Sequence, residues 1–278
     1  MIASAFRPGS PLAHVEVDGI PVFAGGLPEA VHVAADLIET GAGGRIATAN
    51  LDFLALARKS RELKGNLRAS TMVVADGMPV AWLARLAGSA TTRRVAGVDL
   101  VEGICREKPG LRIAMYGSSP EIAGPAAAHL RNTLRAKVVA QICPPFRPLT
   151  EDEREAHLSE IARSEPDLVL VALGCPAQER FIAAAYDRRP QAVWIGVGGT
   201  FDFFSGRRVR APHLVQGAGM EWIMRFIQEP RRLGSRYFLR DLPALVQIAP
   251  GCLIRRFRPG KAASLAEYPV ATADSASD

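Results

Sequence analysis

The chain has 278 residues, which predicts one large domain or one domain with an appendage. Hydrophobic residues make up 48% and charged residues 22%, a composition that excludes a wholly disordered, fibrous or disulfide-stapled chain. The formal charge of +6 points to an anionic partner, while the low aromatic content of 6% argues against a base-stacking platform for nucleic acid.

Short apolar, β-branched segments alternate with helical segments along most of the chain. Six segments are predicted to be strands: residues 45–49, 71–75, 111–116, 137–142, 167–173 and 192–197. The predicted helices span residues 53–67, 79–86, 120–134, 151–164 and 176–186, and a capping box from Thr150 to Glu153 opens the fourth. This alternation predicts an open, mainly parallel α/β sheet flanked by helices.

The basic charge is concentrated near the carboxyl end. Residues 207–258 hold eleven arginines and three acids, a net of +8, whereas the rest carries 23 basic and 25 acidic residues, a net of −2. Helices are predicted at residues 219–228 and from Pro230, the second disturbed near Pro243. Arg232, Arg236 and Arg240 share one helical face, where like charges repel by roughly 0.2–0.5 kcal/mol per pair. An anion site or a membrane-facing surface is favoured over a solvated face or packing onto the body.

The cysteines and the hydropathy pattern bear on the compartment. The four cysteines form no C-x-x-C pair, which argues against a zinc site or a disulfide framework and favours a reducing compartment. Neither a signal peptide nor a membrane-spanning helix is predicted. We therefore expect a soluble protein that is still able to lie on a membrane surface.

Polar and glycine-rich motifs follow several of the predicted strands. They are Thr48-Ala-Asn50-Leu-Asp52, Ala75-Asp76-Gly77, Gly117-Ser118-Ser119-Pro120, Gly174-Cys-Pro-Ala-Gln178-Glu179 and Gly196-Val-Gly-Gly199-Thr200. Ligands of open α/β sheets bind outside the carboxyl ends of the strands, where small residues and helix N-termini favour phosphate. The pattern indicates a nucleotide-type ligand, although tight turns also explain glycine-rich strand ends.

Each candidate residue in the first two of these motifs has two interpretations. Asp76 is either a turn aspartate or helix N-cap, or a general base at a strand end. Thr48 and Asn50 are either N-caps, which their spacing favours, or uncharged groups facing a sugar. Asp52 fits stabilisation of a helix start better than catalysis.

The later candidates are equally open. Gln178 is a solvated helix residue unless its surroundings give it a role. Arg94 pairs either with Asp99 or with a phosphate. Cys175 fits packing better than nucleophilic catalysis, because no histidine lies near it in sequence. The dinucleotide fingerprint is absent, Asp202 is not part of a D-x-D pair, and no metal site is predicted.

The motifs occur in a specific order along about residues 15–245. The set consists of four motifs given above, which begin at Thr48, Ala75, Gly174 and Gly196, together with Arg94-Val-Ala-Gly97-Val-Asp99, Phe201-Asp-Phe-Phe-Ser-Gly206, Arg210-Ala-Pro212, Gly219-Met-Glu221-Trp222, Arg225, Glu229-Pro-Arg-Arg232 and Arg236-Tyr237. This ordered set resembles the WecG/TagA/CpsF glycosyltransferase family, glycosyltransferase family 26.

The resemblance implies an inverting enzyme that builds bacterial surface polymers. Such an enzyme moves a sugar from a nucleotide donor, usually UDP-linked, to a polyprenyl-diphosphate-linked sugar, and its Rossmann-like α/β core carries a C-terminal appendage. The family's aspartate base falls on Asp76. Its substrate-contacting residues fall on Thr48, Asn50 and Gln178, and its core arginine falls on Arg94. The appendage arginines that bind diphosphate fall best on Arg225, Arg232 and Arg236.

The resulting expectations cover domains, partners and compartment. Residues 1–211 are expected to form the catalytic core, 212–258 a helical basic appendage that completes the site at the membrane, and 259–278 a disordered tail. No cofactor and no metal are expected. The donor sugar is N-acetylmannosamine, its uronic acid or glucose, and a homo-oligomer on the cytoplasmic face of the inner membrane is a further expectation. The alternatives are a non-catalytic scaffold of a polysaccharide assembly complex, a nucleotide-dependent oxidoreductase and, least favoured, a nucleic-acid-binding protein.

Overall fold

The computed structural model describes residues 12–210, 234 and 237–257. A short antiparallel hairpin comes first, and six parallel strands follow in the order β4-β3-β8-β7-β5-β6 across the sheet. The strands are β1 (His14–Val17), β2 (Ile20–Phe23), β3 (Gly44–Ala49), β4 (Met72–Ala75), β5 (Arg112–Gly117), β6 (Lys137–Ile142), β7 (Leu168–Ala172) and β8 (Val193–Gly196). All six predicted strands are thereby confirmed, each to within two residues at either end.

Helices cover both faces of the parallel sheet. Numbered along the described residues, they are α1 (Leu27–Glu39), α2 (Leu51–Ala57), α3 (Arg61–Arg68), α4 (Met78–Leu86), α5 (Gly97–Glu107), α6 (Pro120–Asn132), α7 (Glu151–Arg163), α8 (Ala177–Ala185), α9 (Thr200–Phe204) and α10 (Leu242–Arg256). A 3₁₀ turn spans Tyr186–Arg188 and a π-helical turn spans Tyr237–Asp241. The predicted Rossmann-like α/β class is therefore confirmed.

Alternate residues of each strand point to opposite faces of the sheet, so two apolar layers form. Ile195 packs among residues of α1, α5, α6 and α9, whereas its neighbour Trp194 packs among residues of α7 and α8. The indole nitrogen of the fully buried Trp194 donates to the carbonyl of Arg189 at 3.0 Å, which pairs its one polar group. Burial on both faces explains why the strand sequences are continuously apolar rather than alternating.

One predicted helix differs from the structure, and one predicted helix irregularity is present in it. The predicted helix at 53–67 is divided into α2 and α3, because the hydroxyl oxygen of Ser60 accepts from the Leu63 N–H at 3.1 Å and starts a new helix. The predicted disturbance near Pro243 is confirmed: the π-helical turn ends at Asp241, two residues before the proline. Pro243 itself lies in the first turn of α10, where a missing N–H is tolerated. The predicted helix at 219–228 lies outside the described residues, as do most of the 212–258 appendage and the tail.

The last helix packs against the core through one face. Ala244, Ile248 and Cys252 recur every four residues and are buried among residues of α2, α4 and the hairpin. The guanidinium of Arg255 also pairs with Glu16 of β1. The helix therefore belongs to the same packed unit as the amino-terminal half of the sheet.

Replacing Ile248 by Ala is expected to destabilise the protein by roughly 2–4 kcal/mol, because Ile248 is 2% exposed and its removal leaves a cavity. Val246 lies on the opposite face and is 65% exposed, so Val246→Ala is the matched control and should stay within about 0.5 kcal/mol. Urea unfolding of both variants measures the difference. Equal stabilities would show that α10 does not dock as described.

Candidate functional site

Four neighbouring strands bring the predicted site residues to one edge of the sheet. Parallel strands end at the same side, and β4, β3, β8 and β7 lie next to one another in that order. Asp76 follows β4, Asn50 follows β3, the turn at 196–199 follows β8, and Gln178 follows β7. We call this side, where these four strands end, the carboxyl edge.

Thr48 and Asn50 have different roles at the end of β3. The Asn50 side chain accepts from the Phe53 N–H at 3.3 Å and caps α2, so the N-cap prediction is confirmed for this residue. For Thr48 the N-cap prediction is wrong, because the residue lies within β3 and its hydroxyl donates to the Gly196 carbonyl at 2.7 Å. Thr48 is buried, and its hydrogen bond joins β3 to β8.

Asp76 lies in a sharp turn directly after the fully buried strand β4. Its backbone N–H donates to the carbonyl of Ala49 at 2.9 Å, which places the residue beside the end of β3. The N-cap of α4 is Gly77 rather than Asp76. Gly77 has a φ of +138°, a value that residues other than glycine rarely adopt. The half-buried Asp76 therefore stands between a strand end and a helix start, close to Asn50.

Arg94 reaches the same edge from the segment that precedes α5. The Val95 N–H donates to the Ala75 carbonyl at 2.9 Å, which holds this segment against the end of β4. Arg94 is half-buried there. The carboxylate of Asp99 accepts two hydrogen bonds from Arg210, at 2.5 and 2.9 Å, so the partner that the sequence suggested for Arg94 is held by another arginine.

The interpretation of Gln178 as a solvated helix residue is wrong, because Gln178 is only 1% exposed. Its amide nitrogen donates to Oε1 of Glu179 at 2.7 Å, and its amide oxygen accepts from the Gly198 N–H at 3.1 Å. A Cβ atom on Gly196 would lie 2.5 Å from that amide nitrogen, so any larger residue there would displace the Gln178 amide from its hydrogen bonds. Gln178 is thereby packed against the turn that follows β8.

Glu179 is a site residue that the sequence interpretation missed. Its side chain is 6% exposed, and burial raises its pKa from 4.5 to about 7 although hydrogen bonds from Gln178, its own N–H and the Cys175 thiol act to lower it. The signal that was available is a carboxylate placed directly after Gln178 in an apolar helix. A buried carboxyl group with a pKa near neutral pH therefore lies beneath the carboxyl edge.

The carboxyl edge is suited to an anionic ligand. Helices α4 and α5 begin at it, and the free N–H groups and dipole of a helix N-terminus favour negative charge. Residues 12–210 and 237–257 contain no group of three or more His, Cys, Asp or Glu side chains that could hold a metal ion. Every helix within those ranges is too short or too polar to cross a bilayer.

One arginine of the carboxyl-terminal region reaches this edge. Arg240, in the π-helical turn, lies 2.8 Å from the carboxylate of Asp52, which stands in the first turn of α2. The predicted position of Asp52 at a helix start is confirmed. Asp52 also forms an ion pair with Arg240, which the sequence did not indicate. Arg225, Arg232 and Arg236 lie outside the described residues.

The fold is an open α/β sheet, the class of protein in which ligands bind where the parallel strands end. The model of the Glycosyl transferase WecG/TagA/CpsF family matches residues 15–259. The chain therefore belongs to this glycosyltransferase family.

Replacing Glu179 by Gln removes a carboxyl group that titrates at about pH 7 in the folded chain and near 4.5 in the unfolded chain. Between these values the folded chain binds more protons, so the wild type loses stability as the pH rises. The loss is complete above about pH 7 and amounts to roughly 3 kcal/mol. Glu179→Gln should not show it, and urea unfolding from about pH 4.5 to 8 compares the two. A stability difference that is independent of pH would contradict the burial of this carboxyl group.

Proposed function

We propose that the protein is an inverting, metal-independent glycosyltransferase of bacterial surface polysaccharide synthesis. It would move a sugar of the N-acetylmannosamine, N-acetylmannosaminuronate or glucose type from a UDP-sugar to a polyprenyl-diphosphate-linked sugar. The observation that carries the proposal is Asp76, a half-buried carboxylate between a strand end and a helix start, in a chain of this family.

Asp76 is assigned the role of general base in a single displacement. Its carboxylate takes the proton of the acceptor hydroxyl as the hydroxyl oxygen attacks the anomeric carbon, and the nucleoside diphosphate leaves from the opposite face. Positioned general-base catalysis contributes typically about 10²–10⁴-fold to a rate. Asn50, next to Asp76, and Thr48, whose oxygen can still accept, would orient the sugars.

The leaving diphosphate needs positive charge. The N-termini of α4 and α5 lie at the carboxyl edge, and Arg94 is held beside the end of β4 by its neighbour Val95. Arg225, Arg232 and Arg236 are proposed to complete the site from the appendage, where guanidinium groups suit bidentate phosphate contacts. Arg240, by pairing with Asp52, brings that appendage to the edge.

The defining experiment is release of UDP from a panel of UDP-sugars, in detergent with a polyprenyl-diphosphate-linked sugar acceptor and EDTA. Acceptor-dependent release from one donor in the presence of EDTA supports metal-independent transfer from a UDP-sugar to the lipid-linked acceptor and names the sugar. Release that EDTA abolishes contradicts the metal-independent mechanism. Absence of release from every donor, together with no UDP binding by calorimetry, favours the non-catalytic scaffold.

Replacing Asp76 by Asn should lower kcat by roughly 10²–10⁴-fold and leave UDP binding within a few-fold, because the amide keeps the shape but cannot take a proton. Asp152→Asn, at an exposed position on α7, is the matched control and should retain full activity. Initial rates and calorimetry measure both effects. Turnover of Asp76→Asn at the control's rate would exclude Asp76 as the base.

The membrane surface is assigned to the exposed face of α10. This apolar face consists of Leu242, Val246, Leu253, Ile254 and Phe257, all exposed, and the π-helical turn adds Phe238 and Leu239. The exposed Arg256 adjoins it, and residues 207–258 carry a net charge of +8. An apolar helix face bordered by arginine suits a bilayer that contains anionic lipid, where the acceptor is also anchored.

Replacing both Val246 and Leu253 by Gln should weaken binding to vesicles of phosphatidylglycerol and phosphatidylcholine by at least about tenfold, because two exposed apolar side chains no longer enter the bilayer. The matched control is Phe146→Gln, which removes an exposed aromatic residue away from α10. Vesicle co-sedimentation measures binding. Equal binding of the double variant and the control would refute this membrane surface.

A further inference from the structure

The buried amide of Gln178 can be placed in two orientations that have nearly the same shape. Only its hydrogen-bond partners distinguish the oxygen end from the nitrogen end. The Gly198 N–H is a donor and needs the amide oxygen, at 3.1 Å. Oε1 of Glu179 accepts from the amide nitrogen, at 2.7 Å. A flipped amide would lose both hydrogen bonds within a buried site, which is costly.

The surrounding space leaves these groups little freedom. A Cβ atom on Gly196 would lie 2.5 Å from the Gln178 amide nitrogen and 3.1 Å from Oε1 of Glu179. Both side chains therefore pass directly over the end of β8. The carbonyl of Gly196 accepts from Thr48, so the same short segment is held from β3 as well as from α8.

We propose that Glu179 is a positioning residue, which orients the Gln178 amide and thereby fixes the turn 196–199 at the carboxyl edge, the side of the sheet to which the proposed reaction is assigned. The proposal rests on the glycosyltransferase function proposed above. Glu179 acts through Gln178, because its own side chain is 6% exposed and does not reach the surface of the carboxyl edge.

The Oε2 atom of Glu179 affects the ionisation of the carboxyl group. Within residues 12–210 and 237–257, Oε2 has no hydrogen-bond partner of nitrogen or oxygen, so the ionised form is poorly compensated. Ionisation of the group strengthens Oε1 as an acceptor for Gln178. While the group stays buried, the Gln178–Glu179 hydrogen bond that holds the turn 196–199 is therefore expected to strengthen as the pH rises through the pKa of about 7, although the folded chain as a whole loses stability over the same range.

The two charged neighbours of Glu179, Arg45 and Arg180, are engaged with other groups. Arg45 of β3 lines the same small cavity of about 10 Å³, and its guanidinium donates to the Ala69 carbonyl at 2.5 Å. Arg180 of α8 pairs with Glu62 of α3 at 2.7 Å. A further titratable neighbour, the Cys175 thiol, donates to Glu179.

The test compares three variants of the full chain. Glu179→Met keeps an unbranched side chain of similar length but removes the acceptor for Gln178, whereas Glu179→Gln keeps an acceptor oxygen and does not ionise. Glu62→Met removes an exposed carboxylate beside the same helix and is the matched control. Two quantities are measured: kcat and KM for sugar transfer, and the hydrogen-exchange rate of the Gly198 amide by NMR.

Glu179→Met should lower kcat about tenfold and raise the exchange rate of the Gly198 amide about tenfold, since one lost hydrogen bond corresponds to that factor. Glu179→Gln should keep both values within about threefold of the wild type, and Glu62→Met should change neither. Wild-type kcat and wild-type exchange in Glu179→Met would overturn the proposal.

Two further outcomes are decisive. If Glu179→Met does not fold, the pH profiles of the wild type and Glu179→Gln decide. The rise of kcat near pH 7 should disappear in Glu179→Gln, and the same rise in both would overturn the proposal. If the wild type transfers no sugar, the proposed function fails. Exchange at Gly198 then decides the positioning role alone, supporting it if Glu179→Met is faster and refuting it if the rates are equal.

Discussion

The backbone of Gly196 has no room for a side chain, and the polar groups of the site are packed into that space. β8 ends there in the middle of the sheet, between β3 and β7. From one side the hydroxyl of Thr48 donates to the Gly196 carbonyl, and from the other the amide of Gln178 lies against its Cα. A single residue without a Cβ atom thus lets groups from three neighbouring strand ends meet.

Groups of two kinds lie around this point. Thr48 and Gln178 are buried and hydrogen-bonded to the backbone, and the buried Glu179 is hydrogen-bonded to Gln178, so their positions are set before any substrate arrives. Asp76 and Arg94 are half-buried and stand at the rim. A rigid buried layer beneath a more accessible rim suits a transferase, because preorganised groups need little rearrangement as charge develops. The appendage is tied to the same rim through Arg240 and Asp52.

The local parts of this structure were predictable from the sequence, and the long-range contacts were not. Continuous apolar runs indicated all six parallel strands, and the capping box at Thr150 is present. The Asp18-Gly19 turn, with φ of 51° and 76°, is a hairpin signal that the sequence analysis missed. The burial of Gln178 depends on a glycine in the next strand, and the partner of Asp99 lies 111 residues later, so neither follows from local pattern.

Helix α10 packs on the core through one face and exposes an apolar face on the other. The proposed membrane contact would therefore set the position of the site relative to the lipid. One face packs on α4, and α4 begins two residues after Asp76. If the apolar face lies flat on a bilayer, as proposed, the tilt and roll of the whole core are fixed, and only rotation about the membrane normal is left. The carboxyl edge would then stand at one constant height above the lipid. An acceptor sugar whose reach is limited by its diphosphate and lipid anchor would meet it at the same depth in every encounter.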